Sequence, residues 1–152
     1  MASNGMTQGD TARGRGDLLR MNPSVQPVDL ELLADACEAL DVAGQRWGLA
    51  QVLHLLGASA PGAIAPPWSI DGNQPQHDAM WIGLLADSGA FESAALALLP
   101  DRAAYTCGRF ADGSHVAQVV LPGGVGAHSR GAQSLSMAIA AALLRALGRD
   151  LP

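Results

Sequence analysis

Apolar positions recur at helical spacing along "PVDLELLADACEAL", where Leu30, Leu33, Cys37 and Leu40, with Ala34 and Ala36, form one stripe. Pro27 and Asp29 suit the start of this helix, with acids in its early turns. Gly44 is its expected stop. "QRWGLAQVLHLLG" predicts a second, short helix in which Trp47, Ala50, Leu53 and His54 or Leu56 share a face, with Gly57 ending it. The two are expected to form a helical hairpin. A third helix is expected in "DSGAFESAALALLP", capped by Asp87 or Ser88 and burying Phe91, Ala94 or Ala95, and Leu98. The last helix, over about 134–147, is apolar nearly all round: Leu135, Met137, Ile139, Leu143, Leu144 and Leu147. A helix with so little polar surface lies at the centre of a fold or in an interface. Arg145 and Arg149 are expected to complement its negative end, and Gly148 to close it.

Period-two patterning appears once, in "AAYTCGRFADGSHVAQVVLP". Asp112-Gly113 predicts a two-residue type I′ hairpin. That register places Phe110, His115, Ala117, Val119 and Leu121 on one face. Tyr105, Cys107, Arg109, Val116, Gln118 and Val120 fall on the other. A two-stranded ribbon is not stable alone, so helices must cover it. "AMWIGLLA" is a short apolar run that reads as a strand or extended segment. Residues 1–26 are polar, glycine-rich and aperiodic, and read as a disordered tail. Residues 58–78, rich in Pro and Gly, read as a long irregular connection. The expectation is one α+β domain over 27–152: a helical hairpin, a helix, an antiparallel sheet of two or three strands and a closing helix, in an αβα sandwich-like arrangement.

Composition sharpens this picture. Hydrophobic residues make up 49% of the 152 residues and aromatics only 4%, so alanine and leucine build the core. Charged residues are 15%, below the usual quarter. A surface so short of charge is expected to meet a protein partner or a second copy of the chain. All nine basic residues are arginine. The first 27 residues carry three arginines against two acids, and the remainder six against twelve, giving the overall −5. An acidic body argues against nucleic-acid binding, which needs a positive field. No apolar run reaches 18 residues and the start has no apolar signal core, so a cytoplasmic location without membrane contact is expected. Two isolated cysteines, Cys37 and Cys107, make neither a disulfide framework nor a zinc site.

Candidate chemistry centres on "LPGGVGAHSRGAQ", residues 121–133, between a strand-like and a helix-like run. Its backbone amides and the following helix start suit an anion, with Gly124, Gly126, His128, Ser129 and Arg130 as candidate ligands. It lacks both the Walker lysine and G-x-G-x-x-G, so no nucleotide cofactor is expected. The favoured reading is a mobile connector at the rim of the sheet. For a nucleophile, Cys107 pairs only with His115 or His128; the predicted register puts Cys107 and His115 on opposite faces and leaves His128 open. A buried strand cysteine is the ordinary outcome. Ser129 stands in "HSR", outside any G-x-S-x-G elbow. His54, His77, Asp78, His115 and His128 have no metal-ligand spacing, so no metal is expected. Asp29, Glu31, Asp35 and Glu38 read as the solvated face of the first helix. Trp68, after "APP", and Trp81 are candidate partner anchors.

"GAFESAALALLPD", "AYTCGRFADGSHVAQVVL" and "SLSMAIAAALLRALG", with the upstream "LELLADACEALD", resemble the small α-β-α sandwich domain proteins of tailed phages and prophages. The resemblance covers roughly residues 28–56 and 87–149. It implies a helix, two strands and a closing helix, and a phage or prophage setting. It brings no established activity, and so assigns no role to any residue. The function expected is a non-enzymatic accessory protein acting by protein–protein contact, an inhibitor or adaptor of host machinery. The alternatives are a small-molecule or anion-binding domain, or a hydrolase, centred on 123–131 with Cys107, and a minor structural protein of a virion.

Overall fold

The computed structural model describes residues 25–56 and 75–151. Most of the expected tail, and the expected irregular connection up to residue 74 (with Trp68), lie outside the described residues. The described chain is α+β. Helix α1 (Pro27–Ala39) leads through a 3-10 turn (Val42–Gly44) into α2 (Gln45–Leu55). Helices α3 (Pro75–Asp87) and α4 (Phe91–Ala97) follow. Strands β1 (Ala104–Arg109), β2 (His115–Val120) and β3 (Gly126–His128) form one antiparallel sheet in that order, and α5 (Leu135–Asp150) closes the chain.

The all-apolar patterning of α5 has a simple origin: every residue from Ser136 to Leu147 is buried. Helices α1, α2 and α4 and strands β2 and β3 all pack against it. Leu30, Ala34 and Cys37 of α1, Leu49 and Val52 of α2, and Ala94, Ala95 and Leu98 near α4 complete the core. Each fully buried Leu or Ile side chain stabilises the fold by about 1.5–3 kcal/mol relative to exposure. Pro27 stands at the first helical position of α1, and Asp29 accepts the Gln26 backbone N–H at 2.9 Å.

Several local expectations change. "AMWIGLLA" is helical: it is the body of α3, which begins within the expected loop at Pro75 and buries Ile82 and Ala86, four residues apart. An eight-residue apolar run carries no periodicity strong enough to separate strand from helix. Asp87 ends α3 rather than capping α4, whose N-cap is Ala90; Gly89, at φ +84°, makes the turn between them. In α2 the buried residues are Gln45, Gly48, Leu49 and Val52, whereas Trp47 and His54 are exposed. A side chain at Gly48 would run into Met137 and Leu40. The close approach of α5 therefore selects glycine there and turns Trp47 outward. Gly148 lies inside α5, which runs on to Asp150.

The hairpin register also differs, by one residue. Tyr105 pairs with Val119, Cys107 with Ala117 and Arg109 with His115. The loop is three residues long, because Phe110 N–H donates to the Ser114 carbonyl at 2.8 Å and Gly113 N–H donates to the Phe110 carbonyl at 3.0 Å. Gly113 takes φ +92°, and Asp112 Oδ1 accepts both the N–H and the hydroxyl of Ser114. This is a turn followed by one left-handed residue, the three-residue hairpin solution. A slip of one residue exchanges faces. Tyr105, Cys107 and Arg109 therefore share the face of Ala117 and Val119, which α5 covers on β2 and β3 but not on β1. All six β1 residues are exposed.

Candidate functional site

The expected connector at 121–133 is largely built into the sheet. Leu121 and Gly124 close a turn through a 2.9 Å bond, with Gly123 and Gly124 at positive φ, and β3 follows directly. Its pairs with β2 are Gln118↔His128, Val119↔Ala127 and Val120↔Gly126, and pairing resumes at His115↔Ala132. Between these, β2 supplies two residues and the β3 side three, Ser129 to Gly131. This is a β-bulge, which bends a strand and re-aims a side chain.

Each bulge residue has a definite position. Ser129 is buried; its N–H donates to the Ala117 carbonyl at 2.9 Å and its Oγ accepts the Ala117 N–H at 2.8 Å. The hydroxyl thus restores the ladder bond that the extra residue interrupts. Gly131 sits at φ +144°, a conformation that disfavours side chains. Arg130 is swung off the sheet onto α1. Its backbone N–H donates to Glu38 Oε1 at 2.7 Å, and its guanidinium reaches Glu31 at 3.0 Å and Asp35 at 3.4 Å.

Beneath Arg130 lies the main electrostatic feature of the described residues. Arg145 projects from α5 with its side chain only 4% exposed. Its Nε donates to Glu31 at 2.9 Å, its Nη2 to Asp35 at 2.6 Å, and its Nη1 to Glu38. Glu31, Asp35 and Glu38 follow one another at spacings of four and three residues, so they line one face of α1. They are not a free solvated face. They form a carboxylate cradle in which every guanidinium nitrogen of Arg145 finds an acceptor, as a buried charge requires. Burial opposes the Arg145 charge, but the bonds it donates to Glu38 and Glu31, the nearby Glu38 charge and the bond to Asp35 outweigh it and raise its pKa. Arg149 adds a further tie, donating to the Gly126 carbonyl at 2.8 Å.

The candidate ligands therefore do not converge. Gly124 stands in the turn, and Gly126 opens β3. His128 is exposed on the outer face of the sheet, Ser129 is sealed against Ala117, and Arg130 is engaged by carboxylates. The cysteine pairings change as well. Cys107 and His115 lie on one face, as diagonal neighbours, whereas His128, opposite Gln118, lies on the other. Cys107 is exposed rather than buried, and partial desolvation raises its thiol pKa, the reverse of nucleophile activation. Cys37 is buried, its thiol pushed up to about 12 by burial and then by Glu38. Among the described residues, no group of three or more His, Cys, Asp or Glu is placed to hold a metal ion.

Large apolar side chains do reach the surface. Met80, Trp81 and Leu84 occupy one face of α3 and are 62%, 58% and 56% exposed, while Ile82 and Ala86 hold the helix to the core. The sequence singles out Trp81 but not Met80 or Leu84, because their helix reads as a strand. Trp47 of α2 is also half exposed. No described helix is long and apolar enough to cross a membrane. Comparison with family models, curated proteins and solved structures finds no match to this chain.

Proposed function

We propose that this chain is a non-enzymatic accessory protein, in the phage or prophage setting its sequence resembles, that acts by holding a protein partner on the outer face of α3. The observation that carries this reading is the row Met80, Trp81 and Leu84, with all three more than half exposed on one helix face. Side chains of this kind gain most from a partner's apolar pocket, and tryptophan is the residue type most enriched among binding anchors. The polar residues of 121–133 support the same reading, since Ser129 and Arg130 are used inside the fold.

The test compares the chain with its Trp81→Glu and Leu84→Glu variants as immobilised bait in bacterial host extract. A protein retained by the parent chain, lost from both variants and bound again when purified supports the reading. Identical retention by all three baits overturns it.

A further inference from the structure

The edge of the sheet offers a second surface, independent of α3. In the antiparallel ladder, His115 and Ala117 of β2 direct their backbone N–H and C=O groups to β3, through bonds to Ala132 and Ser129. The alternate β2 residues therefore serve β1, where their partners are Ala104, Thr106 and Gly108. It follows that the N–H and C=O groups of Tyr105, Cys107 and Arg109 point away from β2, along an edge that no described strand pairs. Three donors and three acceptors stand there in strand geometry. Arg109 is the one charged side chain of this edge; β1 has no proline, no lysine and no bulge, and no described helix covers it.

We infer that β1 pairs antiparallel with β1 of a second copy of this chain, centred on Cys107, to give a continuous six-stranded sheet. The register follows from the free groups. With Cys107 opposite Cys107 of the second copy, Tyr105 meets Arg109 twice, and all six outward groups on each strand are used. Moving the centre to Thr106 would call on Ala103, whose N–H is already given to the Pro100 carbonyl at 3.0 Å. The centred register also matches side chains. The Tyr105 ring lies opposite the guanidinium of the second copy's Arg109, a cation–π pair. On the other face Thr106 opposes Gly108, and the large Phe110 opposes the small Ala104. No like charges face each other. The strand is complementary to itself, and that argues for a second copy rather than for an unrelated strand.

The test is the mass in solution across the micromolar range, by light scattering, on the full chain and two variants. The outward Cys107 N–H makes no ladder bond to β2, so Cys107→Pro removes an edge donor while leaving the hairpin intact. Cys107→Glu sets two carboxylates against each other at the two-fold axis and is expected to weaken association by about a hundredfold or more. The expected result is twice the 15.6 kDa chain mass for the parent and monomers for both variants, with unchanged far-UV circular dichroism. If Cys107→Pro loses structure, the exposed Cys107→Glu position still decides. A monomeric parent chain, or a dimer that Cys107→Glu leaves at full affinity, overturns the inference. Trp81→Glu is expected to leave the dimer intact, so failure here and failure of the α3 reading are distinguishable.

Discussion

Replacing Arg145 by methionine should be the most informative single change in the core. Methionine keeps much of the apolar stem and removes the guanidinium from a cradle of three carboxylates. Removing one partner of a fully buried ion pair costs about 3–5 kcal/mol, because a charge is left buried and unpaired. Here the orphans differ. Glu31 and Asp35 side chains are 42% and 50% exposed, so water can recover them, whereas Glu38 is only 11% exposed and keeps just the Arg130 amide. The cost should therefore fall below that range, at about 2–3 kcal/mol, or about 5–10 °C in Tm. Arg130→Ala is the internal contrast. Its side chain is 66% exposed, so its pairs should contribute about 0–1 kcal/mol and weaken with added salt. Urea unfolding of the parent chain, Arg145→Met, Glu38→Gln and the double variant measures each cost. The double variant should cost clearly less than the two single costs added together. An Arg145→Met cost below about 0.5 kcal/mol, or strict additivity with Glu38→Gln, would refute the cradle.

Other changes probe the scaffold around it. Ser129→Ala leaves the Ala117 N–H buried without its acceptor and should cost about 1–3 kcal/mol by urea unfolding. Gly48→Ala drives a methyl into Met137 and Leu40 and should cost about 1–3 kcal/mol, relieved in part by shortening Met137 to alanine. The Asp112 carboxyl is held below its usual range by hydrogen bonds from the Ser114 hydroxyl and amide. A depressed folded pKa stabilises above the unfolded value and is lost as pH falls through the folded one. Acid unfolding of Asp112→Asn, followed by circular dichroism, should therefore show a shallower loss of stability below the carboxylate range than the parent chain. Equal slopes would contradict this.

How legible these features are depends on how local their cause is. The stripe of Leu30, Leu33, Cys37 and Leu40, with Ala34 and Ala36, is a strong periodic signal and the run of α5 a strong apolar one; both locate a helix, although in α1 only Leu30, Ala34 and Cys37 are fully buried and α5 runs on past Gly148. The last helix is central because nothing else could hide so much apolar surface. The face of α2 is misread because its buried contact is a glycine, which carries no hydrophobic signal, while Trp47 suggests burial. The hairpin loop depends on one Asp112–Ser114 contact, and its single added residue exchanges the faces of β1. The cradle pairs residues 107 to 114 positions apart, a separation that leaves no local trace. A clue was nonetheless present. Arg145 is the one charge within an otherwise apolar run, and a charge there must be paired. The acids at 31, 35 and 38, on one helix face, were its available partners.

The central claim is that residues 126–132 form a bulged strand clamped between β2 and α1, rather than an open glycine-rich loop that receives a ligand. Residue-resolved amide hydrogen exchange tests it most directly. Slow exchange at Ser129, Arg130 and Ala132, whose N–H groups donate to Ala117, Glu38 and His115, is the predicted result, with Arg145→Met speeding Arg130 above all. Fast exchange at all three positions, at the rate of an unstructured chain, would contradict the account.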